Sequence, residues 1–214
     1  MSRQPVSVII VSYNDRMIMR RCLSALSAQL DVPGDEIIVV DNASTDGVLE
    51  DLRRMDIRLI ENAENVGFPL GCNIGYDAAA PGNDIFLLNN DAVLAEGALK
   101  NLCRALYSAE DVGAVGAVSN NALEQIEPGI ARDVPLEEAL RFGANLNRKN
   151  VVYEYRSRLT GFAVLLKRAV VDRLMAEDGC FLDPRFSPGY FEDEDLGVRV
   201  ALAGYRQILC HNAF

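Results

Sequence analysis

The feature that most limits what this chain can fold into is a regular alternation along its first half. Short runs of aliphatic and β-branched residues at 6–11, 36–40, 57–60, 85–88 and 112–118 alternate with helical patterns at 16–29, 44–55, 69–80 and 95–108. The runs are apolar at nearly every position rather than every second one, as in strands covered on both faces. Strands separated by helices of this length predict βαβ units and an α/β fold with a mostly parallel central sheet flanked by helices. Sheets of this kind bind ligands in the crevice outside the carboxyl ends of their strands, which directs attention to a few short segments.

The stretch 120–150 is less regular, interrupted by Pro128, Gly129, Pro135 and Gly143, and reads as a loop carrying a short helix at 136–142. The pattern then predicts strands at 151–156 and 161–167, a helix at 168–175, a last helix at 192–203 and a last strand at 206–210. No internal repeat, low-complexity tract or dividing linker occurs, so a single domain over 1–214 is expected. Half of the 214 residues are hydrophobic, and a chain of this size buries about 70% of its unfolded surface.

A net charge of −10 excludes nucleic-acid binding through a basic face and argues against a polybasic membrane patch. The five cysteines form no CxxC pair, the pattern of buried free thiols in a reducing compartment. No charged-then-apolar leader precedes the first run, and no apolar run nears the roughly 18 residues of a membrane span. The expected location is the cytoplasm, or peripherally the inner membrane face.

Polar residues collect where the predicted strands end. The first run ends in Ser12-Tyr13-Asn14, the second in Asp41-Asn42-Ala43-Ser44-Thr45-Asp46-Gly47, the fourth in Asn89-Asn90-Asp91. Asp41 could accept hydrogen bonds from a ribose hydroxyl or a base N–H, or could simply cap a turn. Asp91 could hold a divalent ion completed by substrate phosphates and water, or sit in an Asx turn. Glu192-Asp193-Glu194-Asp195 opens the last helix. Acids there complement the helix dipole, worth only about 0.3–1 kcal/mol each; four crowded carboxylates suggest that a cation or a base is needed as well. His211, the single histidine, follows the last strand and has a ring suited to manganese or zinc. Gly67, Gly71 and Gly75 form neither a dinucleotide fingerprint nor a phosphate loop; they serve either close approach to a ligand or helix packing.

Together these segments resemble the family-2 glycosyltransferases of the GT-A fold, in particular the bacterial rhamnosyltransferase-like branch. The matching stretches are 8–14, 38–47, Asn65-Val66-Gly67-Phe68 with 71–75, 87–91 and 192–199, in that order along essentially the whole chain. The resemblance implies a metal-dependent, inverting transferase moving a sugar from a nucleotide-diphosphate donor, dTDP- or UDP-linked and rhamnose among the sugars, onto a carbohydrate or lipid-linked acceptor. Residues 1–118 would form the nucleotide-sugar-binding half and 119–214 the acceptor side. Ser12, Tyr13 and Asp41 match the segments that hold base and ribose, with Asp46 and Asn73 flanking. Asn89-Asn90-Asp91 stands where the family has its DxD motif, with Asn89 replacing the first acid and Asn90 beside the donor. Asp91, helped by His211, would hold Mn2+ or Mg2+. Asp193 matches the catalytic base, and Thr160-Gly161-Phe162 the acceptor wall. Relatives usually continue with further helices, so the resemblance also implies an acceptor side cut short at Phe214.

Two other readings fit parts of the pattern. A sugar-nucleotide pyrophosphorylase would want a glycine-rich basic segment after the first strand, where this chain has Ser12-Tyr13-Asn14-Asp15. A non-catalytic nucleotide-sugar-binding domain is the other, favoured by Asn89.

Overall fold

The computed structural model describes residues 3–122 and 124–214. Each apolar run of the first half becomes a strand: β1 (Val6–Ser12), β2 (Glu36–Asp41), β3 (Arg58–Glu61), β4 (Asp84–Leu88) and β5 (Val112–Ala117). Between them lie α1 (Arg16–Ser27), α2 (Val48–Leu52), α3 (Phe68–Ala78) and α4 (Ala98–Leu106). The second half adds α5 (Leu136–Asn147), β6 (Tyr153–Arg156), β7 (Ala163–Leu166), α6 (Arg168–Asp178), α7 (Glu192–Leu202) and β8 (Arg206–Cys210). All eight strands join one sheet in the order β3-β2-β1-β4-β7-β5-β8-β6.

The expected α/β class holds. Alternate residues of each strand face opposite layers, and both layers are apolar. Val6, Val8 and Ile10 of β1 pack with Met19, Leu23 and Leu26 of α1 and with Leu99 and Leu102 of α4. Ile9 of the same strand packs on the other face, in the cluster that includes Cys72 and Tyr76 of α3, Val171 of α6 and Val200 of α7. All five cysteines are free and four are buried.

The sheet is mixed rather than uniformly parallel. The β3-β2-β1-β4 group is parallel throughout and β5 runs parallel to β8, but β7 is antiparallel to both β4 and β5, and β6 closes the edge antiparallel to β8. Several expected helices differ in length, and for two of them the structure shows the cause. The one expected at 44–55 shrinks to α2, because Ser44 to Asp46 are drawn into a polar loop and Gly47 takes a left-handed φ of 87° just before Val48. The one expected at 136–142 runs on to Asn147. There the Asn147 amide donates to the carbonyls of Ala95 and Glu96 and its carbonyl oxygen accepts from the Phe214 N–H, a tertiary anchor that periodicity does not reveal.

Gly71 and Gly75 are packing positions. A Cβ at Gly71 would stand 2.9 Å from both methyls of Val11, and one at Gly75 would run into Ile9, so these glycines let α3 lie directly on β1. Gly67 has φ 85° and fits against Ser187 and Pro188, which makes its close neighbour another part of the chain.

An alanine for glycine inside a helix normally stabilises by about 0.5–1 kcal/mol. At Gly75 the added methyl meets Ile9, and overpacking costs about 1–3 kcal/mol. Gly75→Ala is therefore expected to lower the unfolding free energy in urea titrations by about 1–2 kcal/mol, and a stabilised variant would show that α3 can lift from β1.

Candidate active site

β1 and β2 end side by side, with Ser12 in register with Asp41. Asp41 is buried, and its two carboxylate oxygens accept from the Ser44 N–H and hydroxyl, at 2.9 and 2.6 Å. The Ser44 oxygen accepts in turn from the Asn14 N–H, and the Asn14 side chain accepts from the Thr45 N–H. Asp46 accepts from the backbone of Arg16 and of Val48. These bonds stitch the segments after β1 and β2 into one polar rim. Tyr13 is half exposed on it, while the Ser12 hydroxyl is buried without a hydrogen-bond partner among the described residues. Asn73 lies on α3, where its side-chain amide donates to and accepts from the Leu182 backbone, tying α3 to the segment that precedes α7.

β4 ends at Leu88, and Asn89 extends the ladder by donating its N–H to the Phe162 carbonyl at 2.8 Å. Asn90 and Asp91 follow in a turn closed by the Ala92 N–H on the Asn89 carbonyl. Asp91 is exposed, and among the described residues its carboxylate enters no hydrogen bond or ion pair. It lines a cavity of about 420 Å³ together with Asn89, Asn120, Asn121, Arg132, Thr160 and Phe162.

A second cavity of about 430 Å³ adjoins it. Asn89, Thr160 and Phe162 line both, and beyond this shared wall stand Phe68, Arg158, Gly161, Tyr190, Phe191, Glu192, Asp193 and Glu194. The Asp193 carboxylate accepts from the Gly161 N–H at 3.3 Å and from the Glu194 N–H at 2.9 Å. Asp91 and the acidic start of α7 thus open onto adjoining parts of one crevice, at the carboxyl end of β4.

The four acids of α7 have separate surroundings. Asp195 points away and pairs with Arg199 one turn on, at 2.8 Å. Glu194 touches Arg158, which also pairs with Glu124 at 2.8 Å. A hydrogen bond shared with Asp193, added to partial burial, holds the Glu194 carboxyl above its ordinary range despite the weaker pull of Arg158. Glu192 is half-buried, burial raises its carboxyl, and its Oε2 is buried with no partner among the described residues. His211 sits just past β8 and turns to β6, with Nε2 3.0 Å from Glu154 Oε2. It does not line the Asp91 cavity. Among the described residues no three His, Cys, Asp or Glu side chains converge as a closed metal site.

Sequence reasoning did not single out Phe68, Arg132, Arg158, Tyr190 or Phe191 as lining residues. Tyr190 and Phe191 had a visible signal, two aromatics directly before an acidic run. Phe68 lies in the family-matching stretch 65–68, and the arginines had no signal, since tertiary packing brings them to the crevice.

The chain belongs to the glycosyltransferase like family 2, whose match spans residues 3–214. A search of curated proteins gives no match. Among solved structures, the mannosyltransferase PcManGT from Pyrobaculum calidifontis, in complex with GDP-Man and Mn2+, is 25% identical, with TM-score 0.71 over 98% of this chain and 57% of its own. S. aureus TarS 1-349 is 16% identical, with TM-score 0.68 over 97% and 58%, and is also solved in complex with UDP-GlcNAc. GalNAc-T7 with UDP, GalNAc and Mn2+ is 14% identical, with TM-score 0.72 over 99% and 43%. The fold is that of the GT-A glycosyltransferases, and this chain spans little more than half the length of these solved proteins or less.

Because burial raises the Glu192 carboxyl above its ordinary value of 4.5, the folded protein binds that proton more tightly than the unfolded chain. The group's stabilising contribution is then present below 4.5 and lost as pH rises through the raised value. Glu192→Gln is expected to match the wild-type melting temperature near about pH 4 and to exceed it near about pH 7. A variant less stable than wild type at the higher pH would mean that hydrogen bonds to the carboxylate outweigh the cost of its burial.

Proposed function

We propose that this domain transfers a sugar from a nucleotide-diphosphate sugar, dTDP- or UDP-linked and rhamnose among the candidates, to a hydroxyl of a polysaccharide or glycoconjugate acceptor, with inversion at the anomeric carbon. The observation that carries the reading is the wall shared by the Asp91 and Asp193 cavities, which sets an unpaired carboxylate and a helix-borne carboxylate along one crevice. In this reading residues 1–118 hold the donor and 119–214 face the acceptor. Nucleotide sugars bound to PcManGT and TarS support the donor class.

A divalent ion fits Asp91. The carboxylate is exposed and unpaired among the described residues, in a cavity with asparagine side chains, and ions of the magnesium type are commonly held by one or two carboxylates with phosphates and water completing the shell. When bound, such an ion supplies neutralisation of the charge on a departing diphosphate. Mn2+ in the PcManGT and GalNAc-T7 structures supports this assignment. His211, whose Nε2 lies on Glu154, does not line the Asp91 cavity.

On the other side of the wall, Asp193 is held by the Gly161 and Glu194 N–H groups and shares a hydrogen bond with the Glu194 carboxyl; of the roughly four lone-pair sites of a carboxylate, the one left over is open to a hydroxyl. The acceptor oxygen forms its bond to the anomeric carbon from the face opposite the diphosphate. The carbon–oxygen bond to the diphosphate breaks with its electron pair, and the acceptor proton passes to Asp193. An aspartate with a reference pKa of about 3.9 can do this because the hydroxyl acidifies as the new bond forms. Asp41, already committed to Ser44, contributes by fixing the rim 42–47 on which Tyr13 and the donor nucleotide meet. Asn89 in place of an acid favours a second reading, a domain that binds nucleotide sugars without turning them over. Hydrolysis of a nucleotide sugar in the presence of Mn2+, without acceptor, separates the two.

A positioned base contributes about 10²–10⁴-fold. Asp193→Asn is therefore expected to keep nucleotide binding while turnover falls at least about 10²-fold; near-normal turnover would remove Asp193 from this role. Asp91→Ala should abolish the metal dependence of donor binding in calorimetry, and an unchanged metal titration would count against the assignment.

A further inference from the structure

Tyr190 and Phe191 stand at the mouth of the Asp193 cavity, directly before α7, with Phe191 as its N-cap. Their φ angles are 83° and 70°, a region that bulky L residues rarely adopt and that glycine takes without cost. The two residues are 84% and 66% exposed, so little burial offsets the backbone strain. Strain of this kind gathers at functional sites. Both rings line the same cavity as Phe68 and Phe162.

The rest of that cavity defines what the rings could meet. Glu192 and Asp193 line it, and Glu192 Oε2 is buried with no hydrogen-bond partner among the described residues. A buried acceptor left without a donor is costly, and a ligand donor would satisfy it. Flat apolar rings beside carboxylate acceptors match a neutral sugar ring, which has an apolar C–H face and donates through its hydroxyls. A hydrocarbon chain would leave the carboxylates unsatisfied. An anionic acceptor would meet three carboxylates and one guanidinium, Arg158, already held by Glu124 and Glu194.

We propose that Tyr190 and Phe191 form a stacking platform for a neutral sugar ring, with Glu192 accepting a hydrogen bond from one of its hydroxyls. Calling that sugar the acceptor rests on the transfer reading above; the platform itself does not. The acceptor is then a saccharide bearing no charge on the ring next to the attacking hydroxyl.

The test is a titration of protein carrying 13C-labelled tyrosine and phenylalanine rings, with UDP and Mn2+ present, using methyl glycosides of glucose, galactose, mannose and N-acetylglucosamine. At least one glycoside is expected to shift the Tyr190 and Phe191 ring signals and to move its own ring protons upfield. Tyr190→Gly and Phe191→Gly should each weaken its binding about tenfold, equivalent to about 1.4 kcal/mol, without lowering the melting temperature, because glycine accepts the positive φ. The proposal is overturned if no neutral glycoside moves the rings, if affinity is unchanged in both variants, if methyl glucuronide binds more tightly than methyl glucoside, or if hexanol moves the rings and the glycosides do not. A glycoside that binds the rings while no nucleotide sugar is ever turned over upholds the platform and removes the transfer reading instead.

Discussion

The ladder between β4 and β7 is the constraint on which the crevice depends. Leu88 pairs with Ala163, and the Asn89 N–H on the Phe162 carbonyl carries the pairing one step beyond both strands. Because β7 runs against β4, the residues that precede it, Thr160 to Phe162, arrive at the carboxyl ends of the parallel strands, where ligands bind in sheets of this type. The same strand pairs with β5 and so joins the parallel group β3-β2-β1-β4 to the group β5-β8-β6. Gly161 then reaches across to Asp193, and one short segment links the end of β4 to the start of α7.

The acidic start of α7 shows how one structural preference can host several chemical environments. Carboxylates are favoured at a helix N-terminus by about 0.3–1 kcal/mol each. The helix period then separates them: Asp195 turns back to Arg199, Glu194 turns to Arg158, Asp193 faces the backbone before β7, and Glu192 goes inward. A hydrogen bond to Asp193 raises the Glu194 carboxyl, and burial raises that of Glu192. The proposed base is therefore flanked by groups that hold their protons more readily than it would meet in water.

The rim after β1 and β2 is held largely by its own hydrogen bonds. Asp41 accepts from Ser44, Ser44 from the Asn14 N–H, Asn14 from the Thr45 N–H, and Asp46 from the Arg16 and Val48 N–H groups, so turn capping and the shape of the rim are one arrangement. The same loop shortens α2, since Ser44 and Asp46 are engaged before a helix could begin. Asn73, which the family resemblance puts beside the donor, holds Leu182 through both ends of its amide; in this fold it fastens α3 to the approach to α7.

The sequence by itself determined where all eight strands lie, the α/β class and the places where polar residues gather, because strands covered on both faces demand unbroken apolar runs and strand ends demand turn-forming residues. It also carried the ordered segments of family 2, including Asp91 and Asp193. Tertiary structure alone decided that β7 runs antiparallel between β4 and β5, that His211 turns to Glu154, that Gly71 and Gly75 serve packing against β1, and that Phe68 and Arg158 reach the crevice. Each of these depends on which distant segments meet. Hydrophobic periodicity records which face of an element is buried, but not the partner that buries it or the direction in which that partner runs.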